Sequence, residues 1–206
     1  IHKNEIKIEK TSLNCLLEFG YIPNFNCIYQ NFKKLSAGDY LIFDLNTKSL
    51  NVKSYWTPKI PIKKSIEIID DKINQFSTIF NNAVKRHTLS DVPIGVLLSG
   101  GVDSSLVTAF ASKNVNKLKT FTVIFPKHKI FNEAQHARTV SKYFSTDHME
   151  IEISDNILPE KILPFLASQY DEPIFDSSML PTYLICKEVR KYCKVVLGGD
   201  GADELF

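Results

Sequence analysis

One stretch limits the folds open to this chain more than any other. It runs Val92-Pro93-Ile94-Gly95-Val96-Leu97-Leu98 and then Ser99-Gly100-Gly101-Val102-Asp103-Ser104-Ser105. The first seven residues are a short apolar run, as expected of a strand buried on both faces of a parallel sheet. Ser99-Gly100-Gly101 turns the chain, and a helical pattern runs from Ser104 to Ser112. A glycine pair between a strand end and a helix start lets several backbone N–H groups converge, and the helix dipole adds to them. The result is an anion site suited to phosphate.

The loop has no lysine, which separates it from loops that grip the phosphates beside a transferred γ-group. It carries Asp103 instead. A carboxylate in a phosphate nest is repelled unless a divalent cation lies between them, so the expected ligand is a nucleotide pyrophosphate bound as its magnesium salt. Residues Ser99 to Ser105 resemble the S-G-G-x-D-S-[ST] loop of the ATP pyrophosphatases, enzymes that cleave ATP between the α and β phosphates. The motif specifies the superfamily and leaves the substrate open.

Beyond residue 92 the pattern alternates. Strands are expected at 92–98, 119–125, 147–153 and 194–197, with helices at 104–112, 132–144, 155–168 (interrupted by Pro159 and Pro164) and 178–192. Such alternation predicts an α/β fold with a doubly wound parallel sheet, whose ligands sit beyond the carboxyl ends of the strands where strand order reverses. Before it, Ile66, Ile69, Ile73, Phe76, Phe80 and Ala83 recur every three or four residues, one apolar face of a helix from Ser65 to His87. Residues 58–64, with Pro58 and Pro61, read as a linker. The first 57 residues read as β-rich: a helix over 12–19 capped by Thr11 or Ser12 and ended by Gly20, then a hairpin of strands 37–43 and 50–56.

The strands ending at Leu98 and Leu197 each run into a glycine-rich acidic turn, and as neighbours they would share one crevice. The second turn is Gly198-Gly199-Asp200-Gly201-Ala202-Asp203-Glu204. Magnesium takes one or two carboxylates plus phosphate oxygens and keeps several waters. Asp103 and Asp203 fit that role.

The two turns together are similar to those of the synthetase domain of glutamine-hydrolysing asparagine synthetases. Thr120 to Phe125 with Asn132-Glu133-Ala134, Asp171-Glu172-Pro173, and Asp176-Ser177-Ser178 agree with it. Phe19 to Pro23, Lys34 to Tyr40 and Tyr55-Trp56 resemble the end of that family's N-terminal glutaminase domain. The resemblance implies an adenine-nucleotide hydrolase type of sheet over 65–206, truncated at its C-terminus, behind a nucleophile-glutaminase remnant at 1–57. It further implies that Ser99, Gly100, Gly101, Asp103, Ser104 and Ser105 bind the departing phosphates. The backbone at Leu98 and Val123 would hold adenosine, and Gly198 and Gly199 would approach the nucleotide closely. Asp200 would support formation of β-aspartyl-AMP, while Asp103 and Asp203 hold Mg2+. Asp171, Glu172, Asp176 and Glu204 are candidates for contact with the amino-acid substrate. Many members have Ser-Gly-Glu where this chain has Gly198-Gly199-Asp200, which opens the acceptor to question.

The implied substrates are ATP, aspartate and glutamine or ammonia, in a cytoplasmic ligase for which a homodimer is a candidate assembly. The close alternative keeps the chemistry and amidates a sugar acid, a peptide or a β-amino acid. Composition removes other classes. The 25 basic and 23 acidic residues are interspersed, leaving net +2 and no basic stripe for nucleic acid. No apolar run has membrane-spanning length. Cys15, Cys27, Cys186 and Cys193 form no C-x-x-C pair, so a zinc site or redox dithiol is not expected, and Cys186 and Cys193 read as packing residues. His128, in Lys127-His128-Lys129, reads as part of a solvated basic loop.

Overall fold

The computed structural model describes residues 6–23, 26–58, 69–124, 126, 133–153 and 159–202. Its elements in chain order are α1 (Lys10–Phe19), β1 (Asp39–Phe43), β2 (Leu50–Ser54), α2 (Ile69–His87), β3 (Ile94–Leu97) and α3 (Val102–Asn114). There follow β4 (Lys119–Ile124), α4 (Ala134–Tyr143), β5 (Asp147–Glu152), α5 (Pro159–Ala167), α6 (Met179–Val189) and β6 (Val195–Leu197). The chain divides into two compact units, residues 1–65 with 160–179 and residues 66–159 with 180–206.

In the first unit α1 begins before the expected Ser12, because Glu9 supplies the cap. Its carboxylate accepts the N–H of Ser12 at 2.8 Å, and Gly20 closes the helix in the left-handed region. Leu16, Ile22 and Ile28 make a small core. The hairpin forms where the sequence places it, with Asp39 opposite Ser54 and Phe43 opposite Leu50. Asp44 holds its tip by accepting the N–H groups of Asn46 and Thr47.

Residues 160–179 join this unit through specific bonds. Glu172 accepts the Ile28 N–H at 2.7 Å and the Lys34 ammonium at 2.8 Å. Lys34 also donates to the Ile22 carbonyl, and Phe175 N–H donates to the Gly20 carbonyl at 2.9 Å. Burial by itself would raise the Glu172 carboxyl, but the bonds from Lys34, Ile28 and Cys27 outweigh it and hold the group below the ordinary glutamate value.

The second unit is a parallel sheet in the order β5-β4-β3-β6. The apolar run at 92–98 yields the strand between β4 and β6, and alternate residues of that strand serve opposite faces. Val96 packs with Val84 of α2 and Val107 and Ala111 of α3, while Leu97 packs with Phe121, Ile151 and Val189 of α6. Helices thus cover both faces, as the alternation requires.

Three expectations are corrected. α3 starts at Val102 rather than Ser104, because Gly101 is its extended N-cap, and Asp103 therefore sits in the first turn. Of the expected stripe on α2, Ile73 is 55% exposed, whereas Phe80 packs beside the buried Val84 against the cluster that holds Val96. Cys193 is buried and Cys186 is exposed, since α6 ends at Val189 and Cys193 falls in the turn beyond it. The expected linker at 58–64 lies outside the described residues except for Pro58.

Thr120, fully buried in β4, bonds to Thr146 at 2.8 Å and to Nδ1 of His148 at 2.9 Å, and Nε2 of that ring is buried without a partner among the described residues. Burial holds His148 below its ordinary value of 6.5, with Glu150 opposing the shift and Arg138 reinforcing it. A neutral His148 thus favours the folded state, fully above pH 6.5 and less as pH falls toward the folded-state value. Thermal midpoints measured from about pH 7.5 down to about pH 5 are expected to fall, and His148→Gln to flatten that fall. Equal slopes in the variant and the parent would refute the assignment.

Candidate functional site

β3 and β6 are parallel neighbours, with Ile94 opposite Val195 and Val96 opposite Leu197. The turns that follow them therefore leave the sheet at the same end. Strand order reverses at β3, with β4 and β5 to one side and β6 to the other. Open α/β sheets form their ligand crevices at that position.

The first turn is braced on every side. Gly100 has φ +90, and a Cβ there would lie 2.6 Å from His136 Cβ and 2.7 Å from the Ala137 nitrogen. Only glycine lets this loop press against the start of α4. Ser99 and Ser104 share a hydroxyl–hydroxyl bond at 2.9 Å. Gly101 N–H donates to Ser99 Oγ, and Ser105 N–H donates to the Gly101 carbonyl. The N-cap of α3 makes no side-chain hydrogen bond, which leaves the first-turn amides directed at whatever anion enters the crevice.

The second turn lies directly against this helix start. A Cβ on Gly199 would come within 2.8 Å of the Ser104 nitrogen and 2.9 Å of Asp103 Cβ. Asp103 and residues 198–202 line one groove of about 880 Å³, together with Lys72 and Phe76 of α2 and Leu106 of α3. The Asp103 and Asp200 carboxylates thus belong to one groove beside a phosphate-type cradle. Hard oxygen donors of this kind suit Mg2+, so the residues present fit that ion. Among the described residues there is no cluster of three or more His, Cys, Asp or Glu side chains. Asp203, Glu204 and His128 lie outside the described residues.

Leu98 is buried, and its backbone is engaged with β4. Its N–H donates to the Phe121 carbonyl at 2.8 Å, and its carbonyl accepts from Thr122 Oγ1. Val123, on the same strand, is half-buried and sits opposite Ile151. Asp171, Glu172 and Asp176 belong to the other compact unit. Asp171 is exposed there, and Asp176 accepts the Ser178 N–H at 2.8 Å. The Ser178 hydrogen bonds hold the Asp176 carboxyl below its ordinary value.

Sequence reasoning missed Lys72 and His136. Lys72 was findable, because steps of four through Phe76 and Phe80 put it on the helix stripe that reaches the groove. His136 gives no such signal, since only the fold brings α4 under Gly100.

The sequence profile of the asparagine synthase family matches residues 75–206. The chain belongs to the asparagine synthase family. It is 35% identical over 208 residues to the Methanocaldococcus jannaschii protein named "Putative asparagine synthetase (glutamine-hydrolyzing) 2", covering all of this chain and 39% of that protein. Asparagine synthetase (glutamine-hydrolyzing) 1 of Bacillus subtilis is 30% identical over 210 residues, with 100% and 32% covered. The chain thus spans roughly a third of the length of these family members. Among solved structures, the glutamine-dependent NAD+ synthetase of Acinetobacter baumannii is similar with TM-score 0.44 and 20% identity, over 80% of this chain and 30% of that one. No helix among the described residues is long and apolar enough to cross a membrane.

In this member of the family the approach of Gly199 to α3 leaves no room for a Cβ. Under the function proposed below, Gly199→Ala is expected to weaken magnesium–ATP binding by about tenfold, the effect of pushing the turn outward against backbone atoms. Isothermal titration of the intact protein reads this, with the thermal midpoint as a folding control. Unchanged affinity would mean that the contact between the turns does not shape the site.

Proposed function

We propose that the intact protein is an ATP-dependent, AMP-forming ligase that takes its nitrogen from glutamine, activates aspartate and yields asparagine. The observation that carries this reading is the meeting of Asp103 and the 198–202 turn in one groove beside an uncapped helix start. Binding of a nucleotide without chemistry would not call for acidic groups on both walls of a phosphate cradle.

In this reading the amides of the first turn, with Ser99, Gly100, Gly101, Ser104 and Ser105, hold the β and γ phosphates. The backbone at Leu98 and Val123 holds the adenosine, and Gly198 and Gly199 leave room for the nucleotide. Asp103 and Asp203 hold Mg2+, which when bound neutralises phosphate charge and eases departure of pyrophosphate. A carboxylate oxygen of aspartate attacks the α-phosphorus, and the bond to the β-phosphate oxygen breaks. Negative charge then grows on pyrophosphate where the α3 amides already point. Asp200 supports this step from the second turn. Ammonia attacks the β-aspartyl-AMP carbonyl, a proton is lost, and AMP departs with the acyl–oxygen bond.

The remaining assignments belong to the same proposal. Residues 1–57 are the closing part of a glutaminase domain, 58–64 a linker, and 65–206 the synthetase domain of the ATP pyrophosphatase type. Asp171, Glu172, Asp176 and Glu204 are the acceptor-side candidates, and the enzyme works in the cytoplasm as a homodimer.

The test is to incubate the full-length protein with ATP, Mg2+, glutamine and a panel of carboxylates, and to follow pyrophosphate and AMP. Aspartate-stimulated release of both is expected, and ADP as the nucleotide product would overturn the reading. Release with a sugar acid, peptide or β-amino acid in place of aspartate would move the acceptor and keep the chemistry. Asp103→Ala is expected to reduce pyrophosphate release by about a hundredfold or more while glutamine hydrolysis continues.

A further inference from the structure

The turn after β6 is built almost without side chains. Gly198, Gly199, Gly201 and Ala202 flank Asp200, and all five line the groove that holds Asp103. The Asp200 carboxylate is thus the one group on residues 198–202 larger than a methyl. Gly201 has φ +84, which turns the backbone just after Asp200, and a Cβ there would meet nothing within 4 Å. The space on that side of the carboxylate is open.

On its other side the carboxylate lies back over its own turn. Asp200 Oδ2 is 3.1 Å from the place that a Cβ on Gly198 would take. Among the described residues no hydrogen bond or ion pair fixes it there. Its position is therefore set by a short side chain and by bare backbone at residue 198. A side chain at 198 would have to push the carboxylate aside, and the free end of an aspartate can rotate away to allow it. Gly199 is a different case, since a Cβ there would strike the backbone of α3. One glycine seats the turn, and the glycines on either side of Asp200 leave room around its carboxylate.

The use of that room rests on the function proposed above, in which Asp200 supports attack of the acceptor carboxylate on ATP. An acceptor enlarged beside its reacting carboxyl would meet backbone and a movable carboxylate on this turn, with no fixed side chain in its way. A closed pocket separates acids that differ by one carbon by about 10- to 200-fold, and an open one gives that discrimination up.

We propose that Gly198, Asp200 and Gly201 set the acceptor range. The site takes, besides aspartate, carboxylic acids one carbon larger near the reacting carboxyl, whether by a longer chain or by a β-substituent. Gly198 is a positioning residue in this arrangement, acting through Asp200 by leaving its carboxylate the space over residue 198. Gly198→Ala fills that space and moves the carboxylate out over the groove. Asp200→Glu brings the acid forward by lengthening it. Either change closes the room that an enlarged acceptor uses.

The experiment gives the full-length parent, Gly198→Ala and Asp200→Glu proteins ATP, Mg2+ and ammonium chloride with aspartate, 3-methylaspartate or glutamate, and follows pyrophosphate. The parent is expected to use each larger acid with kcat/KM within about tenfold of aspartate. In both variants the kcat/KM of the larger acids relative to aspartate is expected to fall by about tenfold or more, with the change carried by the acceptor KM. The thermal midpoint serves as the folding control, and if Gly198→Ala does not fold, Asp200→Glu decides the matter. A parent confined to aspartate would overturn the inference and leave the proposed function standing. Larger acids used equally well by parent and variants would remove Gly198 and Asp200 as the residues that set the range. Pyrophosphate release with none of the acids would take down the proposed function, and this inference with it.

Discussion

Parallel pairing of β3 with β6 is the constraint on which the rest of the candidate site depends. It is a short ladder, yet it brings together two turns that lie nearly a hundred residues apart in sequence. Its registry sends Leu98 and Gly198 off the same edge of the sheet, and the missing side chain of Gly199 then lets the second turn settle on the backbone of α3. A larger residue at that place would hold Asp200 and Asp103 apart whatever the rest of the sheet did. The acidic character of the crevice is thus a product of strand order and of one absent methyl group.

Much of this was readable from residue types. The apolar run at 92–98 could be satisfied only between two other strands, and it lies between β4 and β6. Gly100 and Gly199 mark places where backbone meets backbone, and both do. What the sequence hides is order in space. Nothing in the residues around Glu172 says that its carboxylate meets Lys34, 138 positions away, because a lysine–glutamate pair has no local periodicity. The cap of α1 was misplaced for a related reason. Glu9 caps less commonly than serine or threonine, and here its carboxylate reaches the Ser12 N–H. On α2, periodicity gave a stripe but could not give its partner, so the exposed Ile73 reveals a limit of pattern rather than of chemistry.

The two units are stabilised by different means. The sheet rests on interlocking apolar clusters on both faces, with Val96 and Phe121 almost completely enclosed. Among the described residues, the N-terminal unit has one cluster of three buried apolar side chains, and it is supplemented by the Lys34–Glu172 ion pair and backbone bonds. Polar fastenings of this type are directional and can be broken one at a time, whereas a packed core yields as a whole.

The excursion of residues 160–179 also bears on how the molecule can be taken apart. The backbone crosses between the units at 65/66, 159/160 and 179/180, so severing it near residue 65 cuts one of three covalent threads. A recombinant piece starting there would carry α5 and its following loop without the surface that receives Leu166 and Glu172. Its behaviour in solution would then report an orphaned loop as much as the sheet. Cleaner dissection requires replacing 160–179 with a short bridge from β5 to α6, and the sheet would then be free of its loan to the other half.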